Sequence, residues 1–244
     1  MRVPRPDAVF YPTDYLVNAR LRRSINSCLD IVHPTVKDEE RYTCYQLLDL
    51  AVSILSSSSA AYHNLEHTAL VTQCGLDIIE AVKNKIGKIN TEDIISYIAA
   101  LLFHDIGYVK NICTGDSGNT QIITSKGDTI ELENGATDAS LTPYHVERGK
   151  IFVQESLDGL PHIDTKKIQK FISETTFPVP KDQASNEKGS FQDFAACVQA
   201  ADLIGQMGDP KYISKLTKLF LEFTETGASK FMKISSPVDL KHTY

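Results

Sequence analysis

Two short segments hold most of the side chains that could do chemistry. His63 and His67 are four residues apart at the start of one apolar run, and His104-Asp105 closes another. Four residues is about one helical turn, so the two histidines are predicted to project from one face of a helix. An ionisable pair at the end of an apolar helix lies at or near the core, where it needs a partner or a metal. Imidazole and carboxylate groups are ligands for divalent transition metals, so these segments predict a metal site.

A third segment adds one more carboxylate. Residues 194–205 are small or apolar apart from Gln199 and Asp202. A bare aspartate in such a helix is costly unless it is paired, capped or bound to a metal. A histidine pair or a His-Asp dipeptide alone is a weak signal. The four-part set in this order on successive helices is far more specific.

This ordered set resembles the HD superfamily of metal-dependent phosphohydrolases. The segment Tyr62-His63-Asn64 is similar to the signature of its cyclic-nucleotide phosphodiesterase branch. The resemblance covers residues 62–209 and implies a compact multi-helix bundle around the metal. It implies that one divalent ion (manganese, iron, zinc or nickel) is held by His67, His104, Asp105 and Asp202. It also implies that His63 acts as a general acid.

The chemistry that fits such a site is hydrolysis of a phosphate ester. A bound metal polarises a phosphoryl oxygen and lowers the pKa of bound water from 15.7 toward ~7. Asp105 is expected to orient the nucleophilic water and His63 to protonate the leaving alkoxide. Asn64 and Glu66 are candidates for fixing the imidazole orientation, although Asn64 could equally be a helix cap. The expected enzyme is a phosphodiesterase- or nucleotidase-like hydrolase of a small, nucleotide-like substrate.

Two further residues are candidates for a second metal or a phosphate contact. The segment from His145 to Gly149 resembles the His-x-x-x-Gly of several HD branches, in which the histidine binds a second metal or the substrate phosphate. Lys110 is a candidate phosphate contact or a solvated loop lysine. The two-metal branches carry additional histidines where this chain has residues 172–176, so a complete second site is in doubt. Glu147 is a possible substitute ligand, and magnesium a possible second ion.

The elements that must position these residues are mostly helices. Apolar spacing, capping residues and breaking residues predict an all-α domain over residues 1–244, with a core at about 38–226. The predicted helices cover about 13–33, 38–55, 63–85, 90–105, 166–176 and 191–207, and two more begin near 142 and 212. The exception is a polar insertion at about 111–141, which contains a β-hairpin near 119–133. This insertion could act as a lid, shape the substrate pocket, or be a surface decoration.

Composition limits the partners. The net charge is −6 and the pI is about 5.6, which argues against a nucleic-acid polymer or an anionic membrane as the main partner. The five cysteines are scattered without a CxxC pair, as expected of reduced cytosolic thiols. No apolar run reaches the ~18 residues of a spanning helix, and the N-terminus lacks the apolar stretch of a signal peptide. We therefore expect a cytoplasmic protein, with its oligomeric state open.

Two other functions remain open from sequence alone. A metal-bound sensor could hold a nucleotide without turning it over, although neither His63 nor the predicted ligands are lost. A di-iron oxygenase on the same helical scaffold would need two metals and more histidines than the sequence offers. Iron content and oxygen dependence would distinguish the oxygenase from the hydrolase.

Overall fold

The chain folds mainly into α-helices, as predicted. The structure is a computed structural model that describes residues 12–176 and 194–240. Its helices are α1 (Pro12–Val32), α2 (Asp38–Leu55), α3 (Leu65–Ile86), α4 (Thr91–Phe103), α5 (His145–Leu157), α6 (Thr165–Ser173), α7 (Phe194–Met207), α8 (Tyr212–Glu225), α9 (Ala228–Phe231) and α10 (Pro237–Leu240). Two 3₁₀ segments, Ile106–Tyr108 and Asp138–Tyr144, flank the insertion. The start predicted for α7, near 191, lies outside the described residues.

The predicted β-hairpin is confirmed. Strands β1 (Thr120–Ile122) and β2 (Thr129–Glu131) pair antiparallel, with Gln121 opposite Ile130. They are the only strands in the described part of the chain. The fold is therefore an all-α bundle with one small hairpin attached.

Helix α4 is the centre of the bundle. Every residue from Ile94 to Phe103 is buried, as expected of a helix that is apolar on all sides. The Asn90 side chain caps its first turn by accepting a hydrogen bond from the Asp93 amide at 2.8 Å. Helices α2, α3, α6 and α7 pack around it, and α1 joins the same core through α2 and α3. The core therefore begins upstream of residue 38.

Helices α3 and α7 approach each other closely. Gly205 makes this possible, because a Cβ there would lie 3.0 Å from the Cα of Val71. Close packing of these helices brings Asp202 on α7 toward His67 on α3. The grouping of the predicted ligands therefore depends on a contact between elements far apart in sequence.

A second apolar cluster lies at the end of the described chain. We call it the C-terminal cluster, and its buried members are Tyr62, Leu216, Leu219, Phe223, Ile234 and Leu240. It joins α8, α9 and α10 to the residue that precedes His63. None of the described helices has both the length and the hydropathy needed to cross a membrane.

Two glycines face each other where the 106–108 segment meets α5, and they should respond to alanine in opposite ways. A Cβ at Gly107 would lie 1.9 Å from the carbonyl oxygen of His145, so Gly107→Ala should lower the free energy of unfolding by about 1–3 kcal/mol or more. A Cβ at Gly149 would meet its nearest atom, the Phe103 carbonyl oxygen, at an ordinary 3.6 Å. Gly149 lies inside α5, so Gly149→Ala should be neutral or stabilise by up to about 1 kcal/mol. Urea unfolding of both variants tests this, and equal losses would contradict it.

Candidate metal centre

The predicted ligands come together in one buried cluster. His67 lies on α3, His104 ends α4 with Asp105 directly after it, and Asp202 lies on α7. His67, His104 and Asp105 are buried, whereas the Asp202 side chain keeps 22% of its surface exposed. We call these four residues the metal cluster. Asp202 stands on its more open side.

The distances within the metal cluster suit a shared ion. His67 Nε2 lies 3.3 Å from Asp105 Oδ2 and 3.2 Å from Asp202 Oδ1. His104 Nε2 lies 3.2 Å from Asp105 Oδ2 and 3.8 Å from Asp202 Oδ1. Two atoms that each lie about 2.1 Å from one metal are about 3.0 Å apart at a right angle and about 3.4 Å apart at the tetrahedral angle. Three of these His–Asp distances therefore match the spacing of neighbouring ligands of one divalent ion, and His67, His104 and Asp202 form one group with metal-ligand spacing.

Two atoms of the metal cluster have no hydrogen-bond partner in the described structure. They are His104 Nε2 and Asp105 Oδ2, and both are fully buried. Leaving such a group buried and unsatisfied costs about 1–3 kcal/mol, or more when it is charged. A metal ion between them would satisfy both atoms at once.

Mutual electrostatics shift the pKa values of these groups. Burial lowers the pKa of His67, but the adjacent carboxylates of Asp105 and Asp202 outweigh it and raise that pKa to about 10. Burial likewise opposes a rise in the pKa of His104 that Asp105 causes. Burial raises the pKa values of the two carboxyl groups, but the neighbouring imidazoles hold both below their usual range. Without metal, His67 therefore holds its proton at neutral pH.

Metal binding is expected to release protons at pH 7. His67 carries a proton up to about pH 10 in the metal-free protein, against 6.5 for a free imidazole, and a metal can bind only the neutral ring. Metal affinity should therefore rise as the pH increases from 7 toward 10 and fall as the pH decreases. Calorimetric titration with Mn²⁺ or Zn²⁺ in two buffers of different ionisation enthalpy measures the protons released. A binding enthalpy independent of the buffer would contradict the prediction.

Hydrogen bonds at Nδ1 fix the orientation of three imidazoles. His104 Nδ1 lies 3.0 Å from the Leu101 carbonyl oxygen, and His145 Nδ1 lies 2.6 Å from the Thr142 carbonyl oxygen. A carbonyl oxygen only accepts, so Nδ1 must donate and Nε2 remains available. His63 is held by a carboxylate instead.

His145 joins the site beside the metal cluster. Its Nε2 lies 3.9 Å from Asp105 Oδ1, the oxygen that is not shared with His67 and His104. Burial lowers the pKa of His145, so the ring is neutral and able to bind a metal. One oxygen of Asp105 therefore faces His67 and His104, and the other faces His145.

The sequence did not point to Glu222, which holds His63 in place. Glu222 Oε2 lies 2.5 Å from His63 Nδ1, and Glu222 Oε1 accepts hydrogen bonds from the backbone amides of Tyr62 and His63 at 2.6 and 3.2 Å. Burial opposes the shift, but the adjacent His63 lowers the pKa of Glu222, which therefore stays ionised. Its signal in the sequence was slight: a glutamate directly before Phe223 on the apolar side of α8.

His63 does not lie on the helix that carries His67, so that prediction is wrong. Asn64 adopts an extended conformation, and its side chain accepts a hydrogen bond from the Glu66 amide. Helix α3 therefore begins at Leu65, after the cap. His63 still reaches the site, because its ring centroid lies 5.4 Å from that of His67.

Tyr108 lies between two of the histidine rings. Its ring is stacked on His63 at 4.6 Å with an interplanar angle of 6°, and on His145 at 4.5 Å with an angle of 28°. We call these three residues the ring stack. It fixes the positions of both histidines relative to Asp105, which lies three residues before Tyr108.

Among known proteins, the chain is similar to one family. The model of the Npun_R2479-like family matches residues 15–244. The chain belongs to the Npun_R2479-like family. No curated protein and no solved structure matches the chain. The family match includes the metal cluster, the ring stack and Glu222, and the family's description names no activity.

The remaining candidate residues have other partners. Asn64 caps α3, which was the alternative considered for it. Glu66 lies 3.1 Å from Lys215 Nζ. Lys110 Nζ donates to the Ala136 carbonyl oxygen at 2.8 Å and so contacts the insertion. These three contacts stabilise local structure, and none of them orients an imidazole.

The possible substitute ligand is also engaged. Glu147 Oε2 lies 2.7 Å from Lys150 Nζ on the same helix. The two groups of residues with metal-ligand spacing in the described chain are His63, His67 and Asp105, and His67, His104 and Asp202. Glu147 belongs to neither group.

Proposed function

We propose that this protein is a metal-dependent phosphohydrolase of the HD type that cleaves a phosphoester bond of a small, nucleotide-like substrate. One observation carries the proposal. A buried His-Asp cluster with two unsatisfied ligand atoms stands beside a histidine that a carboxylate holds in place. The cluster would bind the metal and the adjacent histidine would donate the proton, and phosphoester hydrolysis uses both.

The metal cluster would hold a divalent transition ion. His67, His104, Asp105 and Asp202 would be its ligands, which leaves positions open for water and substrate. When bound, the ion supplies a Lewis acid and a hydroxide near neutral pH. The chain bears an overall charge of −6, and a bound metal ion would supply positive charge locally for a phosphate.

His63 would supply the proton to the leaving group. Glu222 accepts a hydrogen bond from Nδ1 and stays ionised. Its negative charge therefore balances the positive charge of a protonated ring, on the side of the ring away from the substrate. Nε2 then donates its proton to the leaving alkoxide oxygen. Stacking on Tyr108 keeps the ring from turning away.

His145 would contact a phosphate oxygen or a second ion. His145 Nε2 and Asp105 Oδ1, which are 3.9 Å apart, would hold a second ion. Glu147 is directed to Lys150, so the second ion would have fewer protein ligands than the first. Magnesium, which keeps several waters, suits such a position.

The test is turnover by metal-stripped protein refilled in turn with manganese, zinc, iron, nickel and magnesium. Phosphodiester and phosphomonoester reporters are compared, with Asp105→Ala as the inactive control and His162→Ala, an exposed loop histidine, as the active one. Metal-dependent diester turnover that is lost with Asp105 supports a phosphodiesterase. Monoester turnover alone identifies a nucleotidase. If no metal gives activity above Asp105→Ala, the proposal fails, and the nucleotide sensor and the oxygenase are tested next.

A further inference from the structure

Arg148 is a fully buried arginine outside the metal cluster. Its exposure is 0%, and it is the largest side chain buried to that degree in the described structure. A guanidinium group has five N–H donors and no acceptor, so burial is costly unless each donor finds a partner.

All five donors are used, and their acceptors fall into two groups. Nε donates to the Gly107 carbonyl oxygen and one terminal nitrogen to the Val109 carbonyl oxygen, both at 2.9 Å. That nitrogen also donates to one carboxylate oxygen of Asp116 at 3.0 Å, and the other terminal nitrogen donates to the second oxygen at 3.2 Å. The fifth donor reaches the Ile122 carbonyl oxygen at 2.5 Å. One group thus lies in the turn after Asp105 and the other in the insertion.

The turn that Arg148 holds carries the middle ring of the ring stack. Tyr108 is the residue between the two carbonyl acceptors, Gly107 and Val109. Displacing these carbonyls would displace the tyrosine ring and with it the surface on which His63 and His145 rest. Arg148 therefore acts on both histidines without touching either.

Two further attachments of the insertion lie near His63 and Glu222. Asp138 accepts a hydrogen bond from the Ser59 amide at 2.9 Å and returns one from its own amide to Ser59 Oγ at 2.9 Å. Thr137 donates to Glu225 from its amide and its hydroxyl, at 2.7 and 2.6 Å. Ser59 lies four residues before His63, and Glu225 lies one turn after Glu222 on α8. The insertion is thus tied to each segment that supports His63.

We propose that Arg148 is a positioning residue and that the insertion is a fixed support of the site instead of a movable lid. Arg148 couples the insertion to the 106–108 turn and so keeps Tyr108 stacked between His63 and His145. The consequence for catalysis rests on the proposed function, whereas the positioning itself does not. Lysine cannot substitute, because its three donors on one nitrogen cannot span acceptors in two segments.

The test follows the ring stack by NMR in metal-free protein. Aromatic stacking shifts the carbon-bound ring protons of His63 and His145 upfield, and His63→Ala and His145→Ala variants assign the signals. Arg148→Lys should move both sets of signals toward the values of exposed histidines such as His162. Arg41→Lys is the matched control, since Arg41 binds Asn26 and Asp30 on α1, away from the site.

Each outcome decides the proposal. Loss of the upfield shifts in Arg148→Lys but not in Arg41→Lys supports it. Unchanged shifts in Arg148→Lys, even with lower thermal stability, would show a merely structural role and overturn it. Should Arg148→Lys fail to fold, Asp116→Asn weakens the same anchor more gently and is judged by the same signals.

A kinetic measurement separates this inference from the proposed function. With a diester reporter that the wild type hydrolyses, Arg148→Lys should lower kcat by up to about 100-fold with little change in KM and in metal content. If the wild-type protein hydrolyses no reporter, the proposed function is contradicted. The NMR result still decides the role of Arg148.

Discussion

Asp202→Asn is expected to abolish tight metal binding and, with it, turnover. Asp202 is a predicted metal ligand, and its Oδ1 lies 3.2 Å from His67 Nε2. Loss of a residue that only hydrogen-bonds to a metal ligand costs roughly 10–100-fold in metal affinity. Loss of a carboxylate ligand itself should therefore cost at least about 100-fold. Competition with a chromophoric chelator measures this affinity for Mn²⁺ and Zn²⁺.

The matched control for this variant is Asp209→Asn. Asp209 is also a buried carboxylate, but it pairs with Lys215 at 2.5 Å and caps the start of α8 by accepting from the Lys211 amide. Its loss should reduce the free energy of unfolding and leave metal affinity near the wild-type value. If both variants bind metal as the wild type does, Asp202 is not a ligand.

His63→Ala is expected to reduce kcat by about 10²–10⁴-fold for esters with alkoxide leaving groups. The loss should be far smaller for a nitrophenolate leaving group, which departs without a proton. Glu222→Gln keeps the size of the side chain but removes the charge beside His63 Nδ1, so its loss should be intermediate and follow the same dependence on leaving group. Steady-state kinetics on paired substrates measure both variants.

Metal content distinguishes two roles for His63. As a general acid it can be removed without loss of the ion, whereas its spacing to His67 and Asp105 would also suit a ligand. A His63→Ala protein that loses its metal would contradict the general-acid role. Equal loss of activity with both leaving groups would do so as well.

The metal cluster could be predicted because local signals mark each of its members. His104-Asp105 ends a helix that is apolar on every side, and Asp202 is the carboxylate of a small-residue helix. Such positions place an ionisable group in the core, where it must be paired, hydrogen-bonded or bound to a metal. The order of the segments then indicated that these groups meet.

The supports of the site could not be predicted in the same way. Glu222 and His63 are 159 residues apart, and nothing in the local pattern of α8 indicates which surface that helix covers. Arg148 stands in a charged stretch of α5 that is typical of a solvated face, yet it is fully buried. Both roles arise from tertiary packing, which overrides local propensity. The same packing placed Lys110 and Glu66 against partners that the sequence did not suggest.

The carboxylate that holds His63 and the predicted metal ligands lie in different parts of the fold. Glu222 belongs to α8, which packs mainly on α9, α10 and the 138–144 segment, while the four ligands belong to the central bundle. Proteins open in contiguous units of unequal stability, and units with few buried apolar contacts open most readily. The C-terminal cluster has six buried apolar members, far fewer than the central core. Detachment of α8 would release His63 from its carboxylate and leave the metal cluster assembled. On warming, the protein should therefore pass through a state that still holds its metal ion but in which Glu222 no longer supports His63. Activity should then be lost at a lower temperature than the metal.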